Sequence, residues 1–128
     1  IINHLVEWAS LPVPIISNSK NFIQGHFMSC ILIAEDETRI AAFIEKGLRK
    51  NGYETAIANN GEDTLELLAN EQFELLVLDI QLPIKDGCKI VSDLRAQQQF
   101  IPIIIITACC DAPKRINELP QQNLDYLI

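Results

Sequence analysis

The sequence predicts an α/β fold in which helices cover both faces of a doubly wound, five-stranded parallel sheet. From residue 30 onward, short apolar runs alternate with segments of helical period, which is the pattern of strand-helix-strand units. The runs are almost continuously apolar, as expected for strands buried on both faces. The chain has 128 residues, enough for one hydrophobic core and too few for a second core of similar size. We therefore expect one domain of this class.

Five apolar runs are the predicted strands. They are CILIA at 30–34, TAIA at 55–58, LLVLD at 75–79, PIIIIT at 102–107 and DYLI at 125–128. In a common five-strand doubly wound arrangement the spatial order is 2-1-3-4-5. The first and third strands are then neighbours at the centre of the sheet.

Four helices are predicted between these strands from apolar residues at helical spacing. Their apolar faces comprise Ile40, Phe43, Ile44 and Leu48 in the first helix, Leu65 and Leu68 in the second, Ile90, Val91 and Leu94 in the third, and Ile116 and Leu119 in the fourth. The first helix stops at Asn51-Gly52, the turns Asn60-Gly61 and Asp86-Gly87 precede the next two, and Pro120 shortens the fourth.

Residues 1–28 differ in character from the rest of the chain. Pro12 and Pro14, with scattered Ser and Asn, interrupt the apolar runs there, and no amphipathic period emerges. The single methionine, Met28, stands directly before the first strand. We expect translation to start there, which would make residues 1–28 a poorly ordered extension before a domain at 29–128. A linker from a preceding domain is the alternative.

Charge and composition exclude several functions. The net charge is -7, which argues against direct contact with nucleic acid because binding phosphates requires a basic face. No apolar stretch approaches the roughly 20 residues of a membrane span, so no membrane contact is expected. The four cysteines have no paired spacing and follow no secretory signal, a pattern typical of reduced thiols in a cytoplasmic protein.

Acidic residues follow the two strands predicted to lie at the centre of the sheet. Glu35 and Asp36 come after the first strand, and Asp79 ends the third. Because ligands bind beyond the carboxyl ends of such strands, these acids should face one another across a short gap. Clustered carboxylates repel unless a cation is present, and their oxygens suit Mg²⁺. The alternative for Glu35, Asp36 and Glu37 is an acidic cluster that complements a helix dipole.

These segments resemble the receiver domains of two-component response regulators. ILIAEDE resembles the family's first strand and acidic pair, and LLVLDIQLPIKDG its phosphorylation strand and the following loop. IIIITA and DYLI resemble its fourth and fifth strands, with ungapped spacing from Thr107 to Tyr126. The resemblance covers residues 29–128 and implies a flavodoxin-like fold, here without the family's final helix.

The resemblance also implies a role for individual residues of the acidic pocket. Asp79 would be the phosphoacceptor. Asp36 would bind Mg²⁺ directly, Glu35 would act mainly through water, and the backbone carbonyl of Gln81 would complete the protein ligands.

Further roles concern the switch that follows phosphorylation. Thr107 would bond a phosphoryl oxygen, and Tyr126 would swing inward as Thr107 moves. Pro83 and Gly87 would shape the loop. The family's lysine would fall one residue beyond Ile128, so we interpret the sequence as part of a longer protein. Pro120 and Gln122 are a smaller departure, since small residues are usual before the fifth strand.

As a receiver, the chain would take its phosphoryl group from a sensor histidine kinase or a phosphotransfer protein and control an output, which we expect to be transcription. A homodimer through the fourth helix and fifth strand is a further hypothesis. The alternative is a degenerate receiver that only binds other proteins. A haloacid-dehalogenase-type phosphohydrolase would need an acid at position 81, which is Gln, and a nucleotide or flavin binder would need a glycine-rich loop where AEDET stands.

Overall fold

The structure, a computed structural model, describes residues 30–108 and 110–127. The predicted extension at 1–28 and the predicted start at Met28 lie outside these residues. The described elements are β1 (Cys30–Ala34), α1 (Thr38–Lys50), β2 (Glu54–Ala58), α2 (Gly61–Asn70), β3 (Leu75–Asp79), α3 (Gly87–Ala96), β4 (Ile103–Ile106), α4 (Ala112–Asn117) and β5 (Leu124–Leu127).

The strands form one sheet in the order β2-β1-β3-β4-β5, and each neighbouring pair is parallel. This confirms the predicted fold class and strand order. Strand ends differ from the prediction by one residue: β4 leaves out Pro102 and Thr107, and β5 begins at Leu124. Pro102 has no N–H to donate, but its carbonyl accepts a hydrogen bond from Leu76 N at 3.0 Å.

Alternate strand residues pack on opposite faces of the sheet, which gives two apolar layers. One layer joins Leu32, Leu76, Leu78, Ile103 and Ile105 to Ile90, Val91, Leu94 and Ile116 of α3 and α4. The other joins Ile31, Ile33, Leu75, Val77, Ile104 and Ile106 to Ala41, Ile44 and Leu48 of α1. Burial of these side chains on both faces stabilises the sheet and fixes where its carboxyl ends lie.

Phe43 corrects the predicted face of α1. Its side chain is 54% exposed, whereas Ala41, Ile44 and Leu48 are buried. At 100° per residue, positions 41, 44 and 48 form one narrow stripe, and position 43 lies outside it.

The fourth helix is shorter than its predicted apolar pattern. It ends at Asn117, so Leu119 lies beyond it, where its N–H bonds to Ile116 O at 3.0 Å. Leu119 nevertheless packs partly against the core. In the described part of the chain, no helix is long and apolar enough to cross a membrane.

Arg95, near the end of α3, connects the segments that precede β4 and β5, at the end of the sheet opposite the predicted site. Its side chain donates to four backbone carbonyls: Nη1 to Gln99 O at 2.7 Å, and Nη2 to Ile101 O at 3.0 Å, Gln122 O at 3.0 Å and Asn123 O at 3.2 Å. The residue is only 7% exposed. A buried guanidinium thus joins α3, the segment before β4 and the segment before β5.

Candidate functional site

Three carboxylates converge at the carboxyl ends of β1 and β3. One oxygen from each of Glu35, Asp36 and Asp79 can be chosen so that all three lie within 4.8 Å of one another. The register explains why, because Ala34 pairs with Leu78 and places the next residues of both strands side by side. The predicted clustering of these three residues is confirmed.

The electrostatic character of the cluster depends on Glu35. This residue is 3% exposed, and burial is the largest cause that raises the pKa of its carboxyl to about 8. The charge of Asp79 and contacts with the Asp79 and Asp36 carboxyls raise this pKa further, while a hydrogen bond from Glu37 N at 3.0 Å opposes the rise. No Lys or Arg among residues 30–108 and 110–127 forms an ion pair with these three acids.

This donor set fits a hard divalent cation. Mg²⁺ prefers oxygen ligands and binds through one or two carboxylates with water in the remaining positions. Asp36 is exposed and Asp79 is half-buried, so a hydrated ion could reach both. A bound ion would offset the repulsion among these carboxylates, which adds to burial in raising the pKa of Glu35.

The loop after β3 is held firmly around the cluster. Gln81 N donates to Asp79 Oδ1 at 3.0 Å, which orients that carboxylate. Gly87 N donates to Ile80 O at 2.9 Å, and a Cβ at Gly87 would lie 2.5 Å from Ile80 Cα. Pro83 O accepts from Gly61 N, the first residue of α2, at 3.2 Å. Gly87 thus contacts the end of β3, and Pro83 contacts the start of α2.

Thr107 and Tyr126 lie on the neighbouring strands. Thr107 directly follows β4, is 7% exposed, and donates its backbone N–H to Leu127 O at 3.4 Å. Tyr126 lies in β5, in register with Ile105, and is 38% exposed. Thr107 is thus buried at the carboxyl edge of the sheet, whereas Tyr126 presents part of its side chain to solvent.

The sequence analysis missed a contact between the loop and α4. Arg115 Nη2 donates to Asp86 Oδ1 at 2.7 Å, and the same oxygen accepts from Cys88 N at 2.8 Å. The Asp86-Gly87 pair before an apolar helical period was a usable signal for the second bond, because Asp is a favoured N-cap. The bond to Arg115 spans 29 residues and has no local sequence signal.

Comparison with known proteins agrees with the fold. The family described as response regulator receiver domain matches residues 31–128, which is most of the chain. The chain therefore belongs to the response regulator receiver domain family.

Two curated relatives are transcriptional regulatory proteins. The chain is 36% identical to PcoR of Escherichia coli over 101 residues, which are 79% of this chain and 45% of that protein. It is 32% identical to PrrA of Mycobacterium tuberculosis over 98 residues, 77% of this chain and 42% of that protein. The chain thus spans less than half the length of these relatives.

A solved structure of a response regulator is similar in fold. TrrA of Thermotoga maritima, in complex with Mg²⁺-BeF, aligns with a TM-score of 0.69 and 27% identity, covering 79% of this chain and 86% of that one.

Proposed function

We propose that this chain accepts a phosphoryl group on Asp79 beside a bound Mg²⁺ ion and thereby switches a surface that controls an output. The observation that carries the proposal is the convergence of Glu35, Asp36 and Asp79 within 4.8 Å in a chain of the receiver family. The Mg²⁺-BeF complex of TrrA supports the same metal here.

Mg²⁺ bound by Glu35, Asp36, Asp79 and the Gln81 carbonyl would neutralise the charge that these carboxylates share with an incoming phosphoryl group. Gln81 N holds Asp79 Oδ1 at 3.0 Å, so the carboxylate presents a fixed orientation. The phosphoryl donor is a phosphorylated histidine of the partner protein. An Asp79 oxygen attacks its phosphorus, and the bond from phosphorus to the imidazole nitrogen breaks. The donor imidazole keeps that electron pair, and the product on this chain is an acyl phosphate.

The new phosphoryl group adds charge and acceptor oxygens at one point. In the proposal, the Thr107 hydroxyl bonds one of these oxygens and Tyr126 moves inward from its half-exposed position. The surface near α4 and β5 repacks as a result. This surface would then form the homodimer expected from the resemblance.

The donor in this proposal is a sensor histidine kinase or a phosphotransfer protein in the cytoplasm. The relatives PcoR and PrrA are transcriptional regulatory proteins, which supports control of transcription by the whole protein. The division into an extension at 1–28 and a domain at 29–128 belongs to the proposal too, and the family match from residue 31 supports its second part.

Intact-mass spectrometry after incubation with acetyl phosphate and Mg²⁺ tests the assignment. We expect this chain to gain one phosphoryl group and an Asp79→Asn variant to gain none. Asp125→Asn is the matched control, because Asp125 lies in β5 and its side-chain oxygen accepts from Tyr126 N, a bond that the Asn side-chain oxygen can also accept. A version extended through the expected lysine and final helix tests whether those parts are required.

The outcomes separate three possibilities. A gain lost only in Asp79→Asn supports Asp79 as acceptor. A gain confined to the extended version means that the downstream lysine or helix is needed. If neither version gains a phosphoryl group, the chain is a receiver that acts by binding alone.

A further inference from the structure

One carboxylate oxygen connects α3, α4 and the loop after β3. Asp86 Oδ1 caps α3 through Cys88 N at 2.8 Å and also accepts from Arg115 Nη2 of α4 at 2.7 Å. The side chains of Arg115 and Asp86 are 32% and 42% exposed. The pair is therefore partly shielded from water, and it joins two helices that no loop connects directly.

Asp86 cannot move independently of the phosphoacceptor strand. Gly87 N bonds to Ile80 O at 2.9 Å, and a Cβ at Gly87 would lie 2.7 Å from the Asp79 carbonyl oxygen. The backbone directly after Asp86 is thus packed against the end of β3. A displacement of the loop next to Asp79 moves the carboxylate that holds Arg115.

α4 is a short helix that is held by buried side chains and, at its carboxyl end, by a bond from Gln121 Nε2 to Ile116 O at 2.8 Å. It spans six residues, of which Ala112 and Ile116 are buried. A helix of this length is marginal without tertiary contacts. The Arg115 ion pair adds to the packing of Ala112 and Ile116 a polar contact that ties α4 to the loop after β3.

We propose that Arg115 is a positioning residue whose ion pair with Asp86 couples the position of α4 to the loop that follows Asp79. The pair holds α4 while Asp79 is unmodified. A ligand at Asp79 that reshapes the loop weakens the pair and frees α4, and by reciprocity, loss of the pair makes the loop easier to reshape. The part that concerns ligands rests on the proposed function.

Hydrogen exchange of the ligand-free chain tests the coupling itself. Asp86→Asn keeps a good N-cap acceptor for α3 but removes the negative charge of the ion pair. Arg115→Gln removes the positive charge of the same pair. Each variant should speed amide exchange in the segment that holds the other residue of the pair by about twofold to fivefold, the effect expected from loss of a partly exposed ion pair. Arg115→Gln should act on residues 80–87, and Asp86→Asn on residues 112–117.

Lys114→Gln is the control, because Lys114 is the exposed neighbour of Arg115 on the same helix and loses the same charge. It should leave exchange in residues 80–87 unchanged. The coupling is refuted if Arg115→Gln speeds exchange only within α4, or if Lys114→Gln has the same effect on the loop.

Beryllofluoride binding with Mg²⁺ tests whether the site uses the coupling. Arg115→Gln and Asp86→Asn should each bind about twofold to fivefold more tightly than the parent, and the double variant no more tightly than either. Arg115→Lys, which keeps the charge, should stay near the parent. Equal binding by all variants overturns the proposal. If neither the parent chain nor the extended version binds beryllofluoride, the proposed function fails, and the exchange experiment alone decides the coupling.

Discussion

Glu35 is 3% exposed in the middle of an acidic cluster, and burial with the neighbouring Asp79 raises its pKa to about 8. Its ordinary value is 4.5. Without a cation, the folded chain therefore holds a proton on Glu35 at pH values where the unfolded chain has lost it. Removal of this carboxylate from water is the largest cause of the shift, and the nearby Asp79 adds to it.

We predict that the metal-free chain loses stability as pH rises from about 4.5 to about 8. The folded state binds more protons than the unfolded state in this window, so the free energy of unfolding falls with increasing pH. Each pKa unit is worth about 1.4 kcal/mol, and we expect a loss of roughly 2–4 kcal/mol across the window from Glu35. Urea unfolding with a chelator at several pH values measures it.

Glu35→Gln is the reference for this measurement, because glutamine keeps the shape and does not titrate. The difference in unfolding free energy between parent and variant isolates Glu35 from the other titrating groups. Parallel pH profiles for the two proteins would show that Glu35 does not carry the effect.

At the residue scale, the sequence was most informative at strand ends. Glu35, Asp36 and Asp79 could be placed together because parallel strands align their carboxyl ends. Phe43 was assigned to the wrong face because the first helix has apolar residues at adjacent positions, and only packing selects the stripe that is buried. Arg95 could not be found, since its partners are backbone carbonyls, which every residue possesses.

Among the elements, α3 both covers the sheet and, through Arg95 near its end, connects the segments before β4 and β5. The guanidinium joins Gln99 and Ile101 before β4 to Gln122 and Asn123 before β5. Hydrogen bonds from a charged group contribute more than neutral ones, and removing a buried donor leaves its acceptors unsatisfied. The positions of the segments before β4 and β5 thus depend on the Arg95 side chain.

We predict that Arg95→Met destabilises the chain by about 2–4 kcal/mol, because methionine fills similar space without donating to the carbonyls. Arg49→Met on α1 is the matched control. The Arg49 side chain is 61% exposed and pairs with Glu45 at 3.6 Å, so its loss should cost less than about 1 kcal/mol. Urea unfolding measures both variants.

Similar losses in the two variants would contradict the role given to Arg95. Phosphorylation of the folded Arg95→Met protein should stay near the parent level, since Arg95 lies at the edge opposite Asp79.

The sequence predicts the start of a helix well where a side chain caps its first turn. Asn60 was predicted to lie in a turn, and it is the N-cap of α2, accepting from Asp63 N at 2.8 Å. The end of β4 was less predictable, because the apolar run continues through Thr107 while the strand stops at Ile106. Ile106 pairs with Asp79, the last residue of β3, so the boundary coincides with the end of the neighbouring strand and not with the end of the apolar run.

For the whole molecule, cation binding and folding should be linked. A ligand that binds only the folded state stabilises it by mass action, by about 2.7 kcal/mol at a concentration 100 times its Kd. We therefore predict that Mg²⁺ raises the urea midpoint of the chain at pH 8 in a concentration-dependent way. Asp36→Asn should reduce this increase because it removes one of the three carboxylates.

Glu118→Gln is the control for the Mg²⁺ effect. Glu118 is exposed at the end of α4, so its loss removes the same charge away from the cluster. If Mg²⁺ stabilises parent, Asp36→Asn and Glu118→Gln equally, the ion acts by general screening, and the site assignment is wrong.

Because Ala34 pairs with Leu78, the acidic cluster forms only when β1 and β3 are in the native register. A slip of one residue between β1 and β3 would turn the following side chains to opposite faces, and Glu35 would no longer meet Asp79. Misaligned or collapsed chains would lack the cluster even if their strand content were normal. Titration with a luminescent lanthanide would then count natively aligned molecules in a refolding mixture, which spectroscopy of secondary structure cannot do.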